Sequence, residues 1–173
     1  MPQVISFPGT GQASLAEVGG KGLSLIQMTE SGLPVPPGAV LTTAFFTPWF
    51  DELKTSGVWK ALTRAEPEQW PTLCNELKGV CETLALTGTQ RQVLEELANK
   101  LGALGDDLLF AVRSSSPQED LASASFAGGY ETRLGVHLDD LEAAIRHCFA
   151  SSLDARVLIY KKQRGFEVMS PAI

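Results

Sequence analysis

Hydrophobic and polar residues along this chain follow two rhythms. Short apolar runs of strand length occupy residues 4–7, 39–42 and 108–112. The first is closed by Pro8-Gly9, and the last runs straight into Arg113. Between them, apolar residues recur at the helical spacings of three and four. A helix is expected over about residues 21–30, carrying Leu23, Leu25, Ile26 and Met28. Ser31-Gly32 stops it, and Pro34, Pro36 and Pro37 prevent a restart. Thr43 is the expected N-cap of a second helix with Phe45, Phe46, Trp49, Phe50 and Leu53.

Residues 57–105 read as entirely helical. Positions 68–84 present Leu73, Leu77, Val80, Cys81 and Leu84, and Thr89-Gln90-Arg91-Gln92 fits a capping box ahead of Val93, Leu94, Leu97 and Leu101. Such stripes are expected to pack rather than to bind. Further on, residues 130–136 read as a strand, and Asp139 or Asp140 as the cap of a helix burying Leu141, Ile145, Cys148 and Phe149. Ser151-Ser152 opens a helix over 153–163, stopped by Gly165. Residues 168–173 begin to look like a strand without a partner in view, which implies a fragment of a longer protein.

The totals narrow the function. At 173 residues the chain fits one domain or two small lobes, and 44% hydrophobic with 20% charged residues marks it as globular. A net charge of -6 without any Lys/Arg run leaves no footprint for a nucleic acid. Cys74, Cys81 and Cys148 form no CxxC pair, so neither a disulfide framework nor a zinc site is suggested. They read as buried thiols of a reducing compartment. With no signal-like N-terminus and no run of membrane-spanning length, a cytoplasmic protein is expected.

Candidate chemistry gathers in two places. Arg113 ends an apolar strand expected to be buried and opens a small-residue loop, an arrangement that lets a fixed guanidinium hold phosphate oxygens in two parallel hydrogen bonds. Its bland alternative is an ion pair with Glu119 or Asp120 that holds the loop. Gly128 and Gly129 stand where a backbone can approach a polyphosphate, or where a β-turn joins two strands. Lys21 follows Gly19-Gly20 at an expected helix start, where free N–H groups, the helix dipole and an ammonium favour anions. The spacing is not that of a GxxxxGK[ST] loop, and a turn with a solvated lysine is the alternative. Glu131 is open to two readings, positioning a metal-bound phosphate or simple solvation. His137 and His147 read as ordinary, and no set of metal ligands is apparent.

Two blocks carry a family resemblance. Ala111-Val112-Arg113-Ser114-Ser115-Ser116, Glu119-Asp120, Ser125-Phe126-Ala127-Gly128 and Glu131-Thr132 form the first. Val18-Gly19-Gly20-Lys21-Gly22-Leu23-Ser24-Leu25 with Gly32-Leu33-Pro34-Val35-Pro36-Pro37-Gly38 form the second. Together they resemble the N-terminal nucleotide-binding domain of phosphoenolpyruvate synthase, pyruvate phosphate dikinase and rifampicin phosphotransferase. One departure stands out: relatives often carry Gln after Phe-Ala-Gly, where this chain has Gly129.

The resemblance implies an α/β (α+β) fold, the first lobe of an ATP-grasp domain. That lobe would hold a mixed sheet and a helical insertion at about 57–105, with residues 1–173 the N-terminal part of a larger multidomain chain. It implies that Lys21 and Arg113 bind ATP phosphates, and that Gly128, Gly129, Tyr130, Glu131 and Thr132 close over them. Ligands for Mg2+ and partners of the adenine are expected from the second lobe, so this piece alone is expected to be inactive. The phosphoryl group would pass to a histidine on a swivelling domain and then to pyruvate. Ser125-Phe126-Ala127-Gly128 favours a synthase; a dikinase, a rifampicin phosphotransferase or a non-catalytic nucleotide-binding module are the alternatives.

Overall fold

The computed structural model describes residues 1–9, 13–105, 107–116, 131–163 and 165. Strand β1 (Val4–Phe7) pairs antiparallel with β2 (Gly38–Leu41), Val4 opposite Leu41 and Phe7 opposite Gly38. Glycine is needed at that last position, because a Cβ on Gly38 would lie 2.6 Å from the Phe7 ring. Helix α2 (Thr43–Thr55) takes Thr42, not Thr43, as its N-cap. The buried Thr42 hydroxyl donates to the Pro2 carbonyl at 2.6 Å and so ties the chain start to the helix instead of capping it.

Helix α1 (Leu15–Glu30) begins well ahead of the expected residue 21. Ser14 starts it: amide and hydroxyl both donate to the Glu17 carboxylate, at 3.0 and 2.7 Å. Those bonds hold the Glu17 carboxyl below its usual range. The glycine pair that reads as a leader lies inside the helix. Gly19, at φ 68 and ψ 175, breaks it into a single turn and a longer second segment.

The main core is helical. Helices α2, α3 (Gly57–Leu62), α4 (Trp70–Glu82), α5 (Gly88–Gly102), α6 (Leu141–Ser151) and α7 (Ala155–Gln163) all contribute to one apolar cluster. Its centre is aromatic: Phe149 stacks on Phe46 at 5.6 Å and meets Trp49 and Phe50 edge-on at 5.2 and 5.0 Å. The Trp49 indole N–H donates to the Ala85 carbonyl at 2.9 Å, so burying the ring strands no polar group.

The capping box of α5 is Thr87 with Gln90, two positions before the expected one. The Thr87 amide donates to Gln90 Oε1 at 2.9 Å, and the Gln90 amide donates to Thr87 Oγ1 at 3.2 Å. Burial explains the register, since the fully buried Gln90 also donates from Nε2 to the Phe45 carbonyl at 2.7 Å. Likewise, α7 starts later than residue 153. Ser151 and Ser152 finish α6 instead, their hydroxyls donating back to the Cys148 and Phe149 carbonyls at 2.7 Å each.

Strand β3 (Phe110–Arg113) pairs antiparallel with β4 (Thr132–Val136), with Arg113 opposite Thr132. The register slips between Phe110 and Val112, across from Gly135 with its φ of 68°. This strand is shorter and more open than the apolar run suggests. Leu108 and Leu109 precede it at 41% and 57% exposure, and Ala111 and Arg113 face outward while Val112 packs on the helical core. Helix α6 packs against both strands and covers the Val112 face.

The α+β class holds, but the described strands form two antiparallel pairs rather than one mixed sheet. The strand expected at 168–173 lies outside the described residues. No helix among the described residues is long and apolar enough to cross a membrane.

Candidate functional site

The glycine segment of α1 and the end of β3, 93 positions apart in sequence, meet residue against residue. The Gly20 amide donates to the Ser116 carbonyl at 3.4 Å, and Lys21 Nζ donates to the Ser114 carbonyl at 3.4 Å. Between them Ser115 Oγ accepts from the Gly22 amide at 2.7 Å and donates to the Val18 carbonyl at 2.6 Å. In an unbroken helix Gly22 would bond directly to Val18, four residues back. Here a serine hydroxyl stands in that bond, a recognised cause of a helix kink. The approach depends on missing side chains, for a Cβ on Gly19 would lie 1.7 Å from the Ser115 carbonyl oxygen.

One expectation is corrected by this joint. The Gly20 and Gly22 amides are not open to an anion, because the serine run has already taken them. What the second segment offers a ligand is the Lys21 ammonium, half-buried beside Ser114. Arg113 is exposed, and no hydrogen bond or ion pair joins its guanidinium to another described residue. Glu119 and Asp120, its alternative partners, lie outside the described residues, as do Gly128, Gly129 and Tyr130.

Lys21 and Arg113 both line an open cleft of about 830 Å³, together with Ser114 and Ser115. Leu25, Met28, Val40, Val112 and Ile145 make much of the remaining wall apolar. Two cations at one edge of an apolar cleft of small-molecule size suit a ligand with an anionic end and a flat or apolar end.

Thr132 sits directly across from Arg113, so the two side chains share one face of the β3–β4 pair. Glu131, just before it, is not simply solvated. Its amide donates to Ser151 Oγ at 3.3 Å and its carboxylate contacts His147 Nε2, while Arg133 Nη2 lies 3.3 Å from His147 Nδ1. His147 therefore links two β4-side residues to α6, a role that sequence gives no sign of. The pair is exposed, and such contacts contribute at most about 1 kcal/mol each. Below it, Cys148 Sγ donates to the Val112 and Glu131 carbonyls at 3.5 and 3.7 Å, and burial pushes this thiol up to about 11. Among the described residues, no group of three or more His, Cys, Asp or Glu converges on a metal position.

A family model described as pyruvate phosphate dikinase, AMP/ATP-binding domain, matches residues 15–173. The chain belongs to this family. Curated members include a probable phosphoenolpyruvate synthase of Methanothermobacter thermautotrophicus, 30% identical over 171 residues, which cover 95% of this chain and 25% of that protein. The phosphoenolpyruvate synthase of Neisseria meningitidis serogroup B is 34% identical over 175 residues, 95% of this chain and 22% of its own. Rifampicin phosphotransferase of Bacillus subtilis is 31% identical over 159 residues, 90% of this chain and 18% of its own. This dikinase-type domain thus spans a quarter or less of the length of these relatives. Both glycine-containing blocks, and the joint they form, fall inside the matched residues.

Proposed function

We propose that this chain is the N-terminal part of an ATP-grasp nucleotide-binding domain, with a helical insertion at about 57–105, and that it holds the phosphates of Mg-ATP between Lys21 and Arg113. The observation that carries this reading is the joint between residues 20–22 and 114–116, which sets an ammonium and a guanidinium on one cleft. Membership of an AMP/ATP-binding family supports ATP as the polyanion. The donor set suits a polyphosphate. Arg113 offers a planar fork for two oxygens of one phosphate, Lys21 a compact point charge for a neighbouring one, and Thr132 a hydroxyl on the same face. Backbone N–H groups of Gly128, Gly129 and Tyr130, with Glu131, close over the phosphates in this reading.

In the whole protein, ATP supplies a phosphoryl group that passes to a histidine on a separate mobile domain and on to pyruvate. The names of the synthase relatives support pyruvate as acceptor. The name of the Bacillus relative makes rifampicin the alternative acceptor, and a dikinase stands beside it. Metal ligands are assigned to residues beyond those described, and the isolated piece is read as inactive. Three buried, unpaired thiols support a reducing, cytoplasmic setting.

The test is to incubate the natural full-length polypeptide with Mg-ATP and pyruvate and to measure phosphoenolpyruvate. Production of phosphoenolpyruvate with AMP and orthophosphate, the second phosphate leaving to water, supports the synthase reading. Turnover with rifampicin alone transfers the assignment to the antibiotic phosphotransferases. ATP binding without transfer to either leaves a non-catalytic nucleotide module.

A further inference from the structure

We propose that Ser115 is a positioning residue, whose hydroxyl fixes Lys21 relative to Arg113 and makes the two cations act as one phosphate clamp. This rests on the reading that both cations bind ATP phosphates. Lys21 lies between Gly20 and Gly22, and the amides of both neighbours are held by the tripeptide that follows Arg113. Ser115 makes the shorter contacts of that set, at 2.7 and 2.6 Å, against 3.4 Å for the two that flank it. Its hydroxyl both donates and accepts, so it satisfies the Gly22 amide and the Val18 carbonyl that the break at Gly19 separates.

Without the hydroxyl, the helix has two ways to relax. Gly22 and Val18 can close toward a direct bond, or both can turn to water. Either way the second segment rotates against the serine run, and Lys21 moves with it. The Ser114 and Ser116 contacts, at 3.4 Å each, are longer than both bonds of Ser115. Positional precision matters here because two separate oxygens must be met at once. The consequence is a loss of coupling between Lys21 and Arg113, more than a loss of fold.

The experiment is a double-mutant cycle on the natural full-length polypeptide, with Mg-ATP affinity read by calorimetry and folding by thermal melting. Mg-ATP is expected to bind about tenfold more weakly to Ser115→Ala. Lys21→Ala, expected to cost tenfold or more in the parent, should cost less than about threefold in the Ser115→Ala background. Ser115→Cys, which keeps the shape with a weaker donor and acceptor, should fall between. Ser56→Ala removes a comparable hydroxyl, the one that accepts from the Trp59 amide at 3.1 Å to cap α3. It should lower the melting temperature and leave affinity unchanged.

If Lys21→Ala and Arg113→Ala weaken binding while Ser115→Ala and Ser115→Cys do not, the positioning role is wrong and the clamp stands. If Ser115→Ala weakens binding but Lys21→Ala costs as much as before, Ser115 acts independently of Lys21 and the proposal is overturned. If neither cation matters, the phosphate reading fails and takes this one with it.

Discussion

Replacing Gly19 with Ala probes the joint where the two sequence blocks meet. At φ 68 and ψ 175 the backbone occupies a region nearly confined to glycine, at a cost of roughly 1–3 kcal/mol for a side chain. The added methyl would also start 1.7 Å from the Ser115 carbonyl oxygen, a backbone atom that cannot swing aside. Forcing such an atom apart costs about 1–3 kcal/mol more. Loss of glycine's freedom in the unfolded chain offsets roughly 0.4–1 kcal/mol. The net is a destabilisation of roughly 2–5 kcal/mol, or about 4–20 °C at 2–4 °C per kcal/mol. Gly79→Ala, in the exposed interior of α4 with nothing within 4 Å, should stabilise by about 0.5–1 kcal/mol instead. Calorimetric scans of the natural full-length polypeptide, following this domain's transition, read both. A Gly19→Ala protein that melts with the parent would refute the close approach of α1 to the serine run.

Other outcomes follow from the core and its ionisable groups. Phe149→Ala should lower stability by about 3–5 kcal/mol, seen as a shift of the urea midpoint, because the ring is fully buried against Phe46, Trp49 and Phe50. Burial pushes the Cys74, Cys81 and Cys148 thiols up to about 11, about 12 and about 11. A disulfide reagent at pH 8 should therefore label all three only on addition of denaturant, and fast labelling of the native protein would contradict their burial. At Asp154, burial favours the neutral acid, but bonds from Arg156 and from Lys78, at 2.5 Å, outweigh it and hold the carboxyl well below its usual range. A depressed native value means stability that is present above the unfolded value of about 4 and lost as pH falls below it. Asp154→Asn should then cost about 1.5–3 kcal/mol at pH 7, a deficit that shrinks below pH 4. A deficit constant from pH 7 to pH 2 would count against the ion pair.

Much of the architecture was legible from periodicity, because the helical stripes carry their own packing instruction. Leu77, Cys81, Ile145 and Phe149 are buried where spacing puts them. What failed was local. A glycine pair before a helix and a glycine break within one look alike in sequence, and only the arrival of Ser115 from 93 positions away tells them apart. The capping box moved to Thr87 because Gln90 also reaches the Phe45 carbonyl, a contact between helices. The run at 108–112 looks buried by composition, yet half of it faces outward, because α6 covers only the Val112 side. At the site, residue chemistry and the family resemblance brought Lys21 and Arg113 forward, while their place on one cleft came from the fold. The Glu131–His147–Arg133 contact had no signal at all, since it depends on the way α6 lies beside β4.

Lys21 and Arg113 are proposed to grip the same polyphosphate. Calorimetric titration of the natural full-length polypeptide with Mg-ATP, beside its Arg113→Ala and Lys21→Ala variants, tests this claim most directly. A charge-assisted hydrogen bond contributes roughly 1.5–3 kcal/mol, so each variant should bind at least about tenfold more weakly while melting like the parent. Folded variants that bind Mg-ATP as tightly as the parent would place the nucleotide elsewhere and contradict the claim.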